Sequence, residues 1–390
     1  MTSELDPKHL EPITRAVRGI TTITLDRYGN LTQDMAPASS VLLSPAELSY
    51  LHTSLSQTPP IRPDSRSPTQ FRPLVAETDI IPSANGSARI CFADGTEAIV
   101  GIKAEVEKSS PIHNASSRTG ARGLGTSSTS EVEMGDVDDS PDRHTGQDAW
   151  LEIAIEIPGF RDDDTLPVFL SAMMTEALLA DGYLKNKLVI NSRFHWRLYI
   201  DVLLLSAPLS YPLPLLSLTT HLALLQTRLP ALVSEKDEDP LFNDDWAAAT
   251  ALFEKGAKPP VTLLVMSVGS NIVFDPSREE LAVADAVVAL SVREEGSDEE
   301  LKVVAVRAVD PPSRLTVPGV PNSMNSVTGG VAPSSKQEAL RMREGADAGS
   351  VWRPPRGGVK RGLLGTMIKM VVQKGGVGFE VLEALEGVQG

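Results

Sequence analysis

Apolar positions recur with a period of two along some stretches of the chain and with a helical period along others. Leu151, Ile153, Ile155 and Ile157 alternate with Glu152, Ala154 and Glu156, the pattern of a strand with one buried face. Ser87–Phe92 and Glu97–Val106 are two β-rich runs joined by Ala93-Asp94-Gly95-Thr96. Gly95 tolerates the positive φ that a tight turn demands, so the pair predicts a β-hairpin. An extended run at Leu74–Ile81 precedes it. Phe194–Leu205 predicts a strand whose end, Val202–Leu205, is continuously apolar. A later block predicts four strands, Val261–Val268, Asn271–Phe274, Ala282–Val292 and Glu300–Val309. Ala16–Asp26 predicts one more.

The helical signals lie between these runs. Ser44-Pro45-Ala46-Glu47 has the form of a capping box with proline at the first helical position, and predicts a helix over Pro45–Leu55. Asp162-Asp163-Asp164-Thr165 predicts a helix through Ala180, its acidic first turn matching the helix macrodipole. Leu215–Leu229 is hydrophobic nearly all round and predicts a helix at the centre of the core. Asn243 or Asp244 predicts the cap of a short helix over Asp245–Phe253. Leu363–Lys374 and Gly378–Leu385 read as amphipathic helices.

Three segments lack such periods. Residues 1–41 are mixed and polar and read as an N-terminal extension. Ser109–Asp148 is rich in Ser, Gly, Asp and Thr, and buries too little apolar surface to offset its ordering entropy, so it reads as a disordered insertion. Pro311–Arg361 reads as a second, mostly irregular insertion. Strands that alternate with helices on both sides of these segments predict an α+β layered fold in two halves. The first half takes 42–108 and 149–230, and the second takes 231–310 and 362–390.

Composition narrows the picture. A hydrophobic fraction of 41% over 390 residues supports a sizeable core. The net charge of −15 means that any nucleic acid must be held by a local basic patch or through a partner, since the overall field repels phosphate. The single cysteine, Cys91, excludes an internal disulfide framework and fits a reducing compartment. No apolar region follows the N-terminus, so no secretory signal is expected. The most apolar window, Val202–Leu225, contains Pro208, Pro212 and Pro214, which argues for a buried strand, turn and helix and against a membrane span.

The search for chemistry returns little. His9, His52, His113, His144, His195 and His221 show no ligand spacing and have no cysteine partners, so no metal site is predicted. The aspartate run 162–164 sends its carboxylates in divergent directions. Gly120–Gly125 has the wrong spacing for a dinucleotide loop, and neither a P-loop nor a Gly-x-Ser-x-Gly elbow is present. Lys185, Lys187 and Arg193 are either solvated charges beyond a helix or a small patch facing a phosphate backbone. The basic run Arg353–Gly362 is either an RNA contact or a solvated tail.

One stretch carries a resemblance. Arg62-Pro63-Asp64-Ser65-Arg66, followed by Arg72, resembles the Arg-x-Asp-x-Arg…Arg opening of the RNase PH family. Ala84–Ala88, Asp94-Gly95-Thr96 and Val100–Glu105 are similar to its first hairpin. Trp196–Ile200, Tyr211–Ser217, Thr227–Pro230, Asp275-Pro276-Ser277 with Glu279-Glu280, and Ala284–Ala286 follow in the family's order. The similarity covers Ser44–Lys108, Trp150–Val309 and Leu363–Val388, and is in particular to eukaryotic exosome ring subunits.

The resemblance implies an RNase PH-like fold, of the ribosomal protein S5 domain 2-like kind. It also implies partners: other RNase PH-like ring subunits, cap subunits with S1 or KH folds, and RNA through the assembled channel, with no membrane. It implies nuclear, nucleolar and cytoplasmic sites of action, and a place for the first hairpin in a subunit interface. Active members of the family bind phosphate at a Gly-Gly-Thr/Ser-Arg segment before the central helix and use acidic residues after a second-half strand. Here the segment is Ala207-Pro208-Leu209-Ser210-Tyr211-Pro212, without Gly or Arg, and the acidic pattern becomes Asp275-Pro276-Ser277. Those departures imply a non-catalytic subunit with no catalytic residues and no cofactor. Lys185, Lys187 and Arg193 are the residues by which it would touch RNA. The competing expectations are a phosphorolytic 3'-to-5' exoribonuclease and an unrelated α+β scaffold.

Overall fold

A computed structural model describes residues 43–109, 146–234, 237–253, 256–295, 300–319, 330–331, 334–345 and 352–388. The expected extension, with its strand Ala16–Asp26, and most of the expected insertion 109–148 lie outside these residues.

Chain order begins with α1 (Pro45–Ser56), β1 (Leu74–Thr78), β2 (Gly86–Phe92), β3 (Glu97–Lys108) and β4 (Leu151–Glu156). It continues through α2 (Thr165–Leu179), α3 (Tyr183–Lys187), β5 (Phe194–Leu204), α4 (Leu213–Gln226) and β6 (Arg228–Leu229). Then come β7 (Thr250–Ala251), β8 (Val261–Val268), β9 (Asn271–Phe274), α5 (Arg278–Leu281), β10 (Ala286–Glu295) and β11 (Glu300–Val309). The last elements are α6 (Lys336–Gly345), α7 (Arg361–Val372) and α8 (Val377–Glu386).

The architecture is α+β. A five-stranded sheet runs in the order β1-β2-β3-β5-β4, and a four-stranded sheet in the order β11-β10-β8-β9. All neighbours are antiparallel except β4 and β5, which are parallel because the chain returns through α2 and α3. The hairpin forms in register across the turn at Gly95, whose φ is 83°. In β4 the apolar positions are buried and the alternating ones exposed, as its period of two dictates.

Helix α4 is the centre. Every residue from Leu213 to Leu224 is buried, and the helix packs against β2 and β3 of one sheet and β8 of the other. Its last turn lies so near β2 that a Cβ on Gly86 would come within 2.6 Å of the Ala223 carbonyl oxygen. A helix covered on all sides needs no polar stripe, which is why its sequence shows none. Strand β8 is buried along its whole length for the same reason.

Several boundaries differ from the sequence reading. Helix α4 ends at Gln226 and not at Leu229, because Arg228-Leu229 pairs with Thr250-Ala251 as a short ladder. That ladder also shortens the expected helix over 245–253 to one 3-10 turn, Trp246–Ala248, capped by the Asp245 side chain on the Ala247 N–H. The aspartate run precedes α2; only Asp164 reaches its N-cap position, and its side chain makes no capping bond. The strand expected from Ala282 starts at Ala286, because Ser277 and Glu280 form a capping box that turns 278–281 into α5. The second insertion is not wholly irregular: Ser334 and Ser335 bond with Glu338 to start α6. Both helices carry a Ser-x-x-Glu signal, which around α6 the wider Pro/Gly composition masked.

His221 lies in the middle of α4 and is 1% exposed. Its Nδ1 donates to the Pro259 carbonyl at 2.8 Å, while Nε2 has no hydrogen-bond partner among the described residues. Burial pushes its pKa down to about 4. The unfolded chain therefore takes up the proton first as the pH drops. The stability tied to this neutral imidazole is complete above pH about 6.5, the value of a free histidine, and is lost as the pH falls toward 4. Urea unfolding between pH 4 and 7 should show a His221-dependent slope approaching about 1.4 kcal/mol per pH unit, and His221→Asn should flatten it. Equal slopes in the two proteins would refute the assignment.

Candidate functional site

The three arginines of the stretch 62–72 converge on the corner between β9 and α5. Arg62 has a fully buried side chain, paired with the equally buried Glu280 through Nε–Oε1 at 2.7 Å and Nη2–Oε2 at 2.8 Å. Its remaining N–H groups reach the carbonyls of Ser67, Gln70, Phe274 and Asp275. Glu280 also accepts from the Ser277 N–H at 2.7 Å, so the carboxylate that caps α5 holds Arg62 as well.

Asp275 stands at the same corner, 1% exposed, with φ at 46°. Aspartate is among the few residues other than glycine that enter this left-handed region, and the turn directs its carbonyl to both Arg62 and Arg66. Both carboxylate oxygens are occupied. Oδ2 accepts from Arg66 Nη1 at 2.8 Å, and from the Arg72 N–H and Nε at 2.9 Å each; Oδ1 accepts from Arg72 Nη2 at 2.7 Å.

Arg72 extends the cluster to the first sheet. Its Nη1 donates to Asp94 in the β2–β3 turn at 2.6 Å and to Ser210 Oγ at 2.9 Å, and its guanidinium lies 4.6 Å from the Phe92 ring centre. Burial opposes its charge, but the bonds to Asp275 and Asp94 outweigh that and raise its pKa. Burial likewise disfavours the Asp94 anion, yet the Thr96 N–H and Arg72 hold its carboxyl below the usual range. Arg66 is paired with Asp64 at 2.5 Å. Three guanidiniums thus face four carboxylates, and none is left for an outside anion.

The entrance to α4 is closed in a different way. Pro212 is its N-cap and makes no side-chain capping bond, and Pro214 lies in the first turn. Two of the donors that a helix N-terminus would offer to an anion are missing. Pro212, Leu213 and Pro214 are buried. Burial pushes the neighbouring Tyr211 phenol up to about 12, so it stays neutral. Among the described residues no cluster of three or more metal-ligating side chains occurs.

The expected basic loop is partly helical. Lys185 and Lys187 lie on α3, and Arg193 on the turn before β5. Each has its own company. Lys185 pairs with Asp148 at 3.0 Å, Lys187 Nζ lies 5.7 Å from the Tyr183 ring centre, and Arg193 pairs with Asp239 at 3.0 Å. The role of Asp275 as the hub of Arg66 and Arg72 was not visible in the sequence. Three arginines within eleven residues beside so few local acids were the available signal that distant carboxylates must meet them.

Several known proteins are similar to this chain. The RNase PH profile, described as 3' exoribonuclease family, domain 1, matches residues 70–230. The chain is 32% identical over 255 residues to exosome complex component RRP42 of Saccharomyces cerevisiae, covering 64% of this chain and 81% of that protein. It is 32% identical over 281 residues to exosome complex component rrp42 of Schizosaccharomyces pombe, covering 67% and 82%. Among solved structures, the Archaeoglobus fulgidus exosome with RNA bound to the active site matches at 21% identity with a TM-score of 0.45, covering 68% of this chain and 87% of that one.

Removing one member of a buried charge pair leaves the other charge unpaired, at a cost of about 3–5 kcal/mol. Glu280→Gln and Arg62→Ala should each lower the unfolding free energy by an amount of that order, measured by denaturant titration. A loss below about 1 kcal/mol, the scale of exposed pairs, would show that the cluster is not the clamp described.

Proposed function

The chain belongs to the RNase PH family, and on that premise we propose that it is a non-catalytic structural subunit of an RNA exosome ring. It helps to form the central channel through which RNA passes for 3'-to-5' processing and degradation, including maturation of ribosomal RNA. Its partners are the other RNase PH-like ring subunits, the S1 and KH cap subunits, and the RNA itself. Its places of action are the nucleus, the nucleolus and the cytoplasm. The similarity to two exosome components over more than four fifths of their length supports this reading.

One observation carries the non-catalytic part. Asp275, the acid at the place where the family's chemistry needs a free carboxylate, has both oxygens bonded to Arg66 and Arg72. A carboxylate so held cannot organise a metal ion or a leaving group without breaking buried bonds. The closed entrance of α4 adds to it, because phosphorolysis needs inorganic phosphate held on backbone donors and a fixed guanidinium. The arginine that reaches that entrance, Arg72 through Ser210, is shared between Asp94 and Asp275.

Lys185, Lys187 and Arg193 are proposed as the RNA-facing cations of the channel. Their neighbours make each hold on a phosphate weak, which suits a passage that must let RNA slide.

The purified chain, given inorganic phosphate and a single-stranded RNA, should release no nucleoside diphosphate; phosphate-dependent release would overturn the non-catalytic reading. Within the assembled ring, Lys185→Glu with Lys187→Glu should weaken RNA binding. The salt dependence should fall by about 0.7 in slope for each phosphate of a single strand that is no longer neutralised. An unchanged affinity and slope would exclude these lysines from RNA binding.

A further inference from the structure

The longest run of unrelieved positive charge in the chain leads into and covers α7. From Trp352 to Phe379 the sequence holds six cations, Arg353, Arg356, Lys360, Arg361, Lys369 and Lys374, and no acid, in a protein of net charge −15. All six are exposed. Among the described residues Arg356, Arg361, Lys369 and Lys374 have no ion-pair partner, unlike Lys185 and Arg193.

The segment is held in place and is not a loose tail. Trp352 is 5% exposed; its Nε1 donates to Thr316 Oγ1 at 2.7 Å, and its ring meets the His52 ring edge-on at 5.8 Å. Its carbonyl accepts from the Gly319 N–H at 2.9 Å. At the other end, Met367 and Val371 bury the inner face of α7, which packs against α8 and β11. Between these anchors Pro354 and Pro355 stiffen the chain.

The outer surface is shaped for a backbone that approaches closely. A Cβ on Gly358, Gly362 or Gly365 would meet nothing within 4 Å, so the chain lies bare to solvent at all three. No exposed large apolar side chain occurs between Trp352 and Lys374. A protein partner anchors on buried aromatic or aliphatic side chains, which this surface lacks; phosphates need only cations and donors. Nor are the charges there for the helix. Lys360 is the N-cap of α7 and Arg361 its first residue, where the macrodipole disfavours positive charge.

We propose that Arg353–Lys374 is a phosphate-binding surface for single-stranded RNA, separate from Lys185, Lys187 and Arg193. It deepens the ring reading by naming a second place where this subunit holds RNA, and it reads shape and charge, not base sequence.

The test uses the full chain and a fluorescein-labelled oligouridine, titrated at several salt concentrations. Replacing Arg353, Arg356, Lys360 and Arg361 together with glutamine should weaken binding at least about tenfold and lower the salt slope by about 2 to 3, at about 0.7 for each phosphate. A variant with lysine at the three arginine positions should keep most of the affinity, since it keeps the charge. Unchanged affinity and slope in a glutamine variant with wild-type circular dichroism and melting would overturn the proposal. Tighter binding of an oligoglutamate of equal charge would overturn it too, in favour of an acidic protein segment. Incorporation into the ring, followed separately by co-purification, reports only on the structural role. A chain that binds RNA through this surface but enters no ring would sink the ring reading and leave this one standing.

Discussion

A guanidinium sealed from water must place every N–H on an acceptor, and at Arg62 those acceptors come from three places in the chain. The carbonyls of Ser67 and Gln70 are local, those of Phe274 and Asp275 end β9, and the Glu280 carboxylate begins α5. This one residue therefore sets the path of the 62–72 segment against the second sheet. Arg72 then carries the same network to the β2–β3 turn through Asp94. The two sheets, which share α4 as their common core, are thus joined a second time by charge. Bidentate geometry makes that joint directional as well as strong.

The same constraint governs the chemistry. A carboxylate bonded through both oxygens to two half-buried arginines has no lone pair left over without breaking one of those bonds. Asp275 is committed in this way, and its left-handed turn serves the same cluster by turning the backbone carbonyl to Arg62 and Arg66. The prolines at the entrance of α4 remove two backbone donors there. Together they make a rigid frame, as the proposed structural role requires.

Charge is distributed to match such a role. Acids outnumber bases over the whole chain, yet two groups of cations stand apart. Those of the arginine cluster are buried or half-buried and paired, and stabilise the frame. Those beyond Trp352 are exposed, on a segment whose sequence carries no acid before Glu380. Net charge alone argues against contact with nucleic acid, and the local arrangement is what gives the proposed contact its room.

Much of the fold was legible because it rests on local physics. The period of two in β4, the Asp94-Gly95 turn, the Ser44 capping box and the apolar run of α4 each specify an element through its nearest neighbours. The order of family-like segments specified the fold class, and the missing Gly and Arg before α4 are what the proposed non-catalytic role was first read from. The helix ends were misread where a distant strand intervened, as at Arg228-Leu229, whose partner lies more than twenty residues on. The site was legible only in part. The arginines 62, 66 and 72 stood out, but their carboxylates, Asp275 and Glu280, lie some two hundred residues away, and no local pattern links them. Composition determined that these charges had to be met; which groups meet them, and which cations face outward, was decided by tertiary packing, because burial selects partners by distance in space and not along the chain.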